Sequence, residues 1–202
     1  PLRAYGRSQQ HRPYLTQLLS SLTVYTLGDL SAQNLTSSNN QNPFLTSYDP
    51  FQTLRAMLIG AAVALPAYHW FLFLGTPRFS ITLPSHRNIN FTLSIANRVI
   101  TNQLVFTPLF LSYFFTAHAL LTPLLCASPS PAQLPSPTQL AEKLGETVPR
   151  GFVNSWKLWP AVTAVSFTVV QPQYRAVFAG VVAVGWQTYL GILNLRAGER
   201  ER

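Results

Sequence analysis

The chain has 202 residues, a net charge of +8 and only 10% charged residues. A soluble domain normally carries about 25% charged residues, so this composition argues against a soluble protein. The basic residues are dispersed without a cluster or an aromatic platform, which argues against a nucleic-acid partner. The lone Cys126 excludes an internal disulfide and a cysteine metal cluster.

Three stretches of the sequence contain no Asp, Glu, Lys or Arg: residues 56–77, 99–141 and 176–195, which are 22, 43 and 20 residues long. About 20 mostly apolar residues in a helix cross a bilayer core, so each stretch is long enough to span it. Apolar residues occupy nearly all faces of these runs, whereas a soluble helical protein shows polar stripes. We therefore predict a multi-pass membrane protein, with the lipid bilayer as its immediate partner.

The first predicted helix covers residues 14–35, and the second covers residues 51–74. In the second helix, small residues recur at every fourth position, at Ala56, Gly60 and Ala64. Small residues at this spacing let another helix approach closely, so this face is predicted to contact a neighbouring helix.

The second half of the chain contains helices separated by proline-rich segments. In chain order we expect a third helix from residue 90 to as far as 125, a mobile Pro- and Ser-rich connector at 127–137, a short amphipathic segment at 139–147, an apolar helix at 156–170 and a last helix at 174–195.

The positions of Lys and Arg indicate the orientation of the helices. The basic N-terminal segment 1–13 carries three Arg, the loop after the second helix carries two, and the charged tail 196–202 carries three. If these regions share one side of the membrane, eight basic residues face three, which is the asymmetry of the positive-inside rule. That arrangement needs an even number of crossings, and four fit best. An odd count of five is the alternative.

The predicted fold class is therefore all-α. Residues 14–195 form a single transmembrane helical bundle with about four spans. One further short helix is interfacial, or forms a re-entrant pair around Gln171-Pro172.

Six polar residues lie within or beside the predicted spans: Asp29, Gln33, Arg55, Arg98, Asn102 and Gln103. A charge at the centre of a bilayer costs about 2.5–3.5 kcal/mol on insertion scales, so such residues face partners or water. In one interpretation Asp29 pairs with Arg55 or Arg98 and holds helices together. In the other, the six residues form a hydrated polar seam that lines a channel, and its excess of Arg favours anionic solutes.

Aromatic and basic residues at the ends of the C-terminal helices are typical of anchors at a membrane interface. We assign this role to Trp156, Lys157, Trp159, Arg175, Trp186 and Tyr189. Arg175 is expected to extend from a helix start to the headgroups.

The sequence contains no motif for catalysis or cofactor binding. The four His residues are scattered without metal-ligand spacing, and there is no phosphate loop, nucleophile elbow or dinucleotide-binding fingerprint. We therefore expect neither an enzyme nor a metal or cofactor.

Short motifs follow one another in a specific order from Tyr14 to Leu190. They are Gly28-Asp29 with Gln33, Asp49 with Arg55 and Gly60, Pro66 with His69-Trp70-Phe71, Gln103 with Pro108, Trp156-Lys157-Leu158-Trp159-Pro160, Phe167, Arg175, and Trp186 with Tyr189-Leu190. With this series the chain resembles the family of the twenty-two-kilodalton peroxisomal membrane protein and its mitochondrial inner-membrane relative, Mpv-seventeen.

The resemblance implies an integral membrane protein of an organelle, with the mitochondrial inner membrane favoured and the peroxisomal or another endomembrane as the alternative. The chain departs from the family pattern at four positions. The family's usual acid is Asn102 here, its Gln is Thr163, its Asn is Ser166, and its proline is shifted to Pro172. These departures remove polar and acidic groups from the seam and indicate a divergent branch, with a fungal source as one possibility.

Some members of the family look like weakly selective channels. Our first expectation is therefore a channel-like or permeability-modulating protein for small solutes that contributes to the metabolite homeostasis of the organelle. The alternative is a non-conducting structural or assembly factor, as a homo-oligomer or within a membrane protein complex.

Overall fold

The computed structural model describes residues 2–39, 48–84, 87–125 and 134–186. Within these ranges every regular element is helical, which confirms the predicted all-α class. The elements are α1 (Leu2–His11), α2 (Pro13–Asn39), α3 (Pro50–Leu74), α4 (Arg87–Thr101), a π-helical segment (Asn102–Phe106), α5 (Thr107–Leu124), α6 (Pro137–Ser155), α7 (Trp159–Thr168) and α8, which begins at residue 175 and is described as far as residue 186. Short 3-10 turns lie at Pro77–Phe79 and Pro172–Tyr174.

Two helix starts follow directly from local sequence. Asp49 caps α3 by accepting a 2.9 Å hydrogen bond from the Phe51 N–H, and Pro50 occupies the first turn, where no N–H is needed. Ser136 and Gln139 form a reciprocal capping box at the start of α6. These caps fix where each helix begins.

Helices α2 and α3 form an antiparallel pair with a close crossing. The Ser21 hydroxyl donates a 2.7 Å hydrogen bond to the Gly60 carbonyl, while Tyr25 packs against Gly60 so closely that a Cβ there would lie 2.6 Å from its ring. The predicted contact face of the second helix is thus confirmed at Gly60. Close approach is possible because glycine has no side chain.

Two further helical units run along this pair. Arg98 of α4 donates to the Leu74 carbonyl at the end of α3, and Arg55 at the start of α3 donates to the Leu125 carbonyl just after α5. The unit made of α4, the π segment and α5 is therefore antiparallel to α3. Helix α8 runs parallel to α2, where Gly180 approaches Val24 and Gly28 approaches Val184.

A buried apolar cluster joins three of these helices. It consists of Phe71 and Leu74 of α3, Ile95 of α4 and Phe167 of α7. The cluster lies at the end of α3, where Arg98 and Arg175 both pack on the Phe167 ring.

Much of the outer surface is apolar. Pro50–Leu74 and Asn88–Leu124 are long and apolar enough to cross a membrane, yet only 28% and 6% of their most apolar windows are buried. The core helix of a soluble protein would be mostly buried, so these exposed faces fit contact with lipid.

Several boundaries differ from those predicted. The basic N-terminal segment contains α1, and the amphipathic segment predicted at 139–147 continues as α6 to Ser155. The helix predicted at 156–170 begins only at Trp159, because residues 156–158 form a turn between α6 and α7. The connector at 127–137 and the tail at 196–202 lie largely or wholly outside the described residues.

The close crossing of α2 and α3 can be tested with a single methyl group. We expect Gly60→Ala to destabilise the protein by about 1–3 kcal/mol, because the new Cβ overpacks against the Tyr25 ring. The effect should appear as a lower Tm of the purified protein in detergent. Gly145→Ala in α6 is the matched control, since nothing lies within 4 Å of its added Cβ, and its Tm should stay or rise. Equal losses in the two variants would contradict the crossing.

Candidate functional site: three groups of buried polar side chains

The structure divides the six residues of the predicted polar seam among three separate groups. The Asp29 group contains Asp29, Gln33 and Arg55 near the start of α3. The amide group contains Asn102 and Gln103 on the π segment. The arginine pair consists of Arg98 and Arg175, which share the Phe167 ring.

In the Asp29 group, three uncharged donors hold the carboxylate. Asp29 Oδ2 accepts from the Thr53 hydroxyl at 2.6 Å and from Gln33 Nε2 at 2.7 Å, and its Oδ1 accepts from Gln52 Nε2 at 2.9 Å. Both carboxylate oxygens therefore have hydrogen-bond donors on neighbouring polar side chains.

Gln33 also joins α2 to the segment before α3. Its Oε1 accepts from the Asp49 N–H at 2.8 Å, and its Nε2 donates to the Asp49 carbonyl at 3.1 Å. The Asp49 carboxylate lies 3.5 Å from Arg55 Nη2. The expected pairing of Asp29 with Arg55 or Arg98 is therefore wrong: Arg55 takes Asp49, its neighbour on the same helix start, while Asp29 is held by amides and a hydroxyl.

The amide group sits where the long α4–α5 helix changes its hydrogen-bond pattern. The Thr107 N–H donates to the carbonyl of Asn102, five residues earlier. Pro108 follows and has no N–H for the carbonyl four residues before it, so the wider π turn accommodates a proline inside a continuous helix. The π segment turns Asn102 and Gln103 inward, where they are 3% and 0% exposed.

Asn102 contacts two other helices. The Trp70 indole N–H of α3 donates to Asn102 Oδ1 at 2.9 Å, and Asn102 Nδ2 donates to the Thr163 hydroxyl of α7 at 3.2 Å. A single side chain therefore ties three helices together.

Gln103 has a parallel role one residue later. Its Nε2 donates to the Ser155 hydroxyl of α6 at 3.3 Å, and its Oε1 accepts from the Thr107 hydroxyl at 2.8 Å. Donor and acceptor are both satisfied, as a buried amide requires.

Three of the residues at which the resemblance implies a departure lie in or near the amide group. Asn102 and Thr163 are hydrogen-bonded to each other, and Ser166 lies one turn further along α7. The Ser166 hydroxyl is buried and has no hydrogen-bond partner among the described residues. A serine here has a shorter polar side chain than the asparagine that the resemblance implies.

The arginine pair has cation–π geometry. The guanidinium carbons of Arg98 and Arg175 lie 5.5 and 4.2 Å from the centre of the Phe167 ring. Arg98 Nε donates to the Leu74 carbonyl at 3.0 Å, and Arg175 Nε donates to the Ser166 and Val170 carbonyls at 3.2 Å each. Both positive charges are thus held at the end of α3 by carbonyls and one aromatic ring.

The predicted interface anchors divide into four cases. Trp156 and Lys157 lie exposed in the turn before α7, while Trp159 and Trp186 are half-buried. Tyr189 lies outside the described residues. Arg175 differs from the prediction, because it is 8% exposed and packs on Phe167 instead of extending to the headgroups.

Sequence reasoning missed most partners of these groups. Thr53 and Gln52 beside Asp29, and Thr163 beside Asn102, had no distinctive pattern. Trp70 carried a usable signal, because an indole N–H inside an apolar helix needs an acceptor, and Asn102 supplies it.

The chemistry of these groups is that of uncharged donors and acceptors with a few fixed charges. Among the described residues, no cluster of three or more His, Cys, Asp and Glu side chains could hold a metal. Amides and hydroxyls can orient water or a small polar solute by hydrogen bonds.

Buried polar groups inside an all-helical bundle, with an outward apolar surface and two helices of span length, fit an integral membrane protein. The model of the Mpv17 / PMP22 family matches residues 134–191. Sym-1 of Neurospora crassa is 31% identical over 184 residues, which cover 91% of this chain and 92% of that protein. The chain therefore belongs to the Mpv17 / PMP22 family, as the resemblance indicated.

Two further relatives extend the comparison. SYM1 of Saccharomyces cerevisiae is 28% identical over 202 residues, which cover 100% of this chain and 93% of the relative. PXMP2/4 family protein 1 of Dictyostelium discoideum is 26% identical over 196 residues, covering 95% and 83%. No solved structure matches the chain significantly. The predicted organelle-membrane localisation is confirmed, with the mitochondrial inner membrane favoured and the peroxisomal membrane as the alternative.

The Asp29 group yields a direct stability test. Gln33→Leu keeps the side-chain volume but removes its hydrogen bonds to Asp29, Asp49 and Thr53. Each buried polar group left without a partner costs about 1–3 kcal/mol, so we expect a clearly lower Tm in detergent. Gln10→Leu, at an exposed position of α1, is the matched control and should leave Tm nearly unchanged. Similar Tm values for both variants would show that the Gln33 bonds do not hold α2 on α3.

Proposed function

We propose that this protein is a channel-like protein that modulates the permeability of the mitochondrial inner membrane to small solutes, without catalytic chemistry. The observation that carries the proposal is the burial of Asn102 and Gln103 on a π segment within an apolar helix of span length. Polar residues inside a membrane are costly, and π segments often mark functional positions.

In this conformation the polar path is closed. Trp70, Asn102 and Thr163 form one chain of hydrogen bonds across the bundle, and Gln103 with Ser155 forms a second. We propose that these two chains are the constriction, and that opening exchanges them for hydrogen bonds to water and solute. Uncharged amides suit this exchange because it separates no ion pair.

The two ends of α3 carry different charges. The Asp29 group and the adjoining Asp49 together contain two carboxylates and Arg55, whereas the arginine pair at the other end contains two cations. Thr53 contacts the Asp29 group and Trp70 contacts the amide group, and at 1.5 Å per residue about 25 Å of α3 separates them. The arginine pair therefore supports our expectation that anionic solutes are favoured at that end.

We further propose that residues 14–195 form one bundle with four full crossings. Helices α2 and α3 and the α4–α5 unit supply three crossings, and α6 with α7 supplies the fourth. Helix α8 is then the additional helical stretch, which turns back after the Pro172–Tyr174 turn. Two of these segments, Pro50–Leu74 and Asn88–Leu124, support the proposal by length and composition.

The second candidate is a non-conducting structural or assembly factor. It is favoured by one observation: Asp29, Asn102 and Gln103 each have hydrogen-bond partners on other helices, as residues that only hold a bundle together would. Crosslinking and native electrophoresis would then show a stable hetero-complex, while the purified protein conducts nothing in a bilayer.

Planar-bilayer recording with the purified protein separates the two functions. We expect Asn102→Asp to shift the permeability ratio toward cations, because it places a carboxylate in the constriction and the family pattern accommodates an acid there. Asn154→Asp is the matched control: this exposed residue accepts from Lys157 Nζ at 3.0 Å and lies outside the constriction, so selectivity should not change.

Two results would contradict the channel proposal. The first is the absence of conductance from folded wild-type protein. The second is a selectivity that responds equally to the two Asn→Asp variants, since that response would place the path away from Asn102.

A further inference from the structure

An open apolar groove of about 420 Å³ lies between α4 and α7. Its lining comprises Phe91, Thr92, Ile95, Ala96, Val99 and Ile100 of α4 with Pro160, Ala164 and Thr168 of α7. Along α4 the groove extends for about 13 Å at 1.5 Å per residue. Its shape and apolar lining suit an extended hydrocarbon chain and offer little to a polar solute.

The groove lies next to the arginine pair. Ile95 belongs to the buried cluster that contains Phe167, and Val99 and Ala164 pack against that cluster. Phe167 in turn carries both guanidinium groups on its ring. One layer of side chains therefore separates the groove from two positive charges.

Arg98 reaches toward the start of α4, where it donates to the Leu74 carbonyl and to the Ser80 hydroxyl at 3.1 Å. This is the direction in which helical side chains normally point. The guanidinium thus sits toward the end of α4 at which Phe91 begins the groove.

The arginine pair lacks a neutralising anion within the described residues. The salt bridge among the described residues joins Arg55 to Asp49, at the opposite end of α3 from the arginine pair. Glu142 and Glu146 lie on α6, near its start. Arg98 is the more accessible of the two, because its Nη2 donates to Ser80 at the surface, whereas Arg175 is buried behind the Phe167 ring. Two like charges on one ring repel each other, and a bound anion would relieve that repulsion.

We propose that the arginine pair and the groove together form a binding site for an anionic phospholipid. The phosphate binds Arg98 at the surface, the buried Arg175 on the same Phe167 ring adds its positive charge, and one acyl chain lies in the α4–α7 groove. Basic pockets between transmembrane helices bind anionic headgroups, and guanidinium groups form strong hydrogen bonds to phosphate. This site does not depend on conduction, and it would hold α4 and α7 together around the amide group.

The test uses the full chain in detergent, titrated with phosphatidylglycerol, with phosphatidylcholine of the same acyl chains, or with inorganic phosphate. Binding is followed by the rise in Tm and by native mass spectrometry. We expect phosphatidylglycerol to bind and raise Tm, with little effect from the other two ligands. Equal effects of both lipids, or of inorganic phosphate and phosphatidylglycerol, would overturn the proposal.

Three variants locate the site. Arg98→Gln should weaken phosphatidylglycerol binding about tenfold, the order expected for one charge-assisted hydrogen bond. Arg78→Gln removes an exposed charge from the neighbouring 3-10 turn and should bind like the wild type. Equal losses of phosphatidylglycerol binding in these two variants would indicate nonspecific attraction to positive charge and would overturn the proposal.

Ala96→Leu tests the groove independently of the arginines. Ala96 is exposed in the groove, so the larger side chain occupies the place of the acyl chain without disturbing the core. We expect weaker phosphatidylglycerol binding with an unchanged Tm of the lipid-free protein. Unchanged binding in a folded Ala96→Leu variant would overturn the groove assignment.

Discussion

A polar side chain inside an apolar bundle must find its hydrogen-bond partners within the protein, and this constraint determines which helices meet. Asn102 satisfies it by bonding to Trp70 on α3 and to Thr163 on α7, and Gln103 by bonding to Ser155 on α6. Four helical segments therefore converge on two adjacent residues. Because lipid offers these amides no alternative partner, the arrangement is held more firmly than apolar packing alone would hold it.

The buried polar residues lie in three separate parts of the bundle: the Asp29 group, the amide group and the arginine pair. The Asp29 group and the close approach at Gly60 fix α2 on α3. The amide group lies further along the bundle, at a π segment that Pro108 makes favourable. The arginine pair at the far end is the part whose charge is not balanced by described residues. Under the proposed channel function a solute would meet the arginine pair first and the amide group second, and under the proposed lipid site a phospholipid would meet only the arginine pair.

The bounds of α3 were predictable, because Asp49-Pro50 caps its start and uncharged apolar residues fill its length. The partner of Asp29 was not, because an opposite charge elsewhere in the sequence says nothing about which helix faces meet. That choice depends on the Gly60 crossing, which brings Thr53 to Asp29 and leaves Arg55 beside Asp49. The bond between Asn102 and Thr163 joins residues 61 positions apart and has no local signal.

The proposed channel function requires that water can reach the amide group. Thr163→Cys and Val165→Cys, each in a Cys126→Ser background, place one thiol at the constriction and one on the exposed apolar face of α7. The direct measurement is their reaction with a charged, water-soluble thiol reagent in reconstituted vesicles. A water-filled path predicts faster modification at position 163 than at 165, because a thiol reacts as a solvated thiolate. Modification at 163 that is no faster than at 165 would contradict the claim.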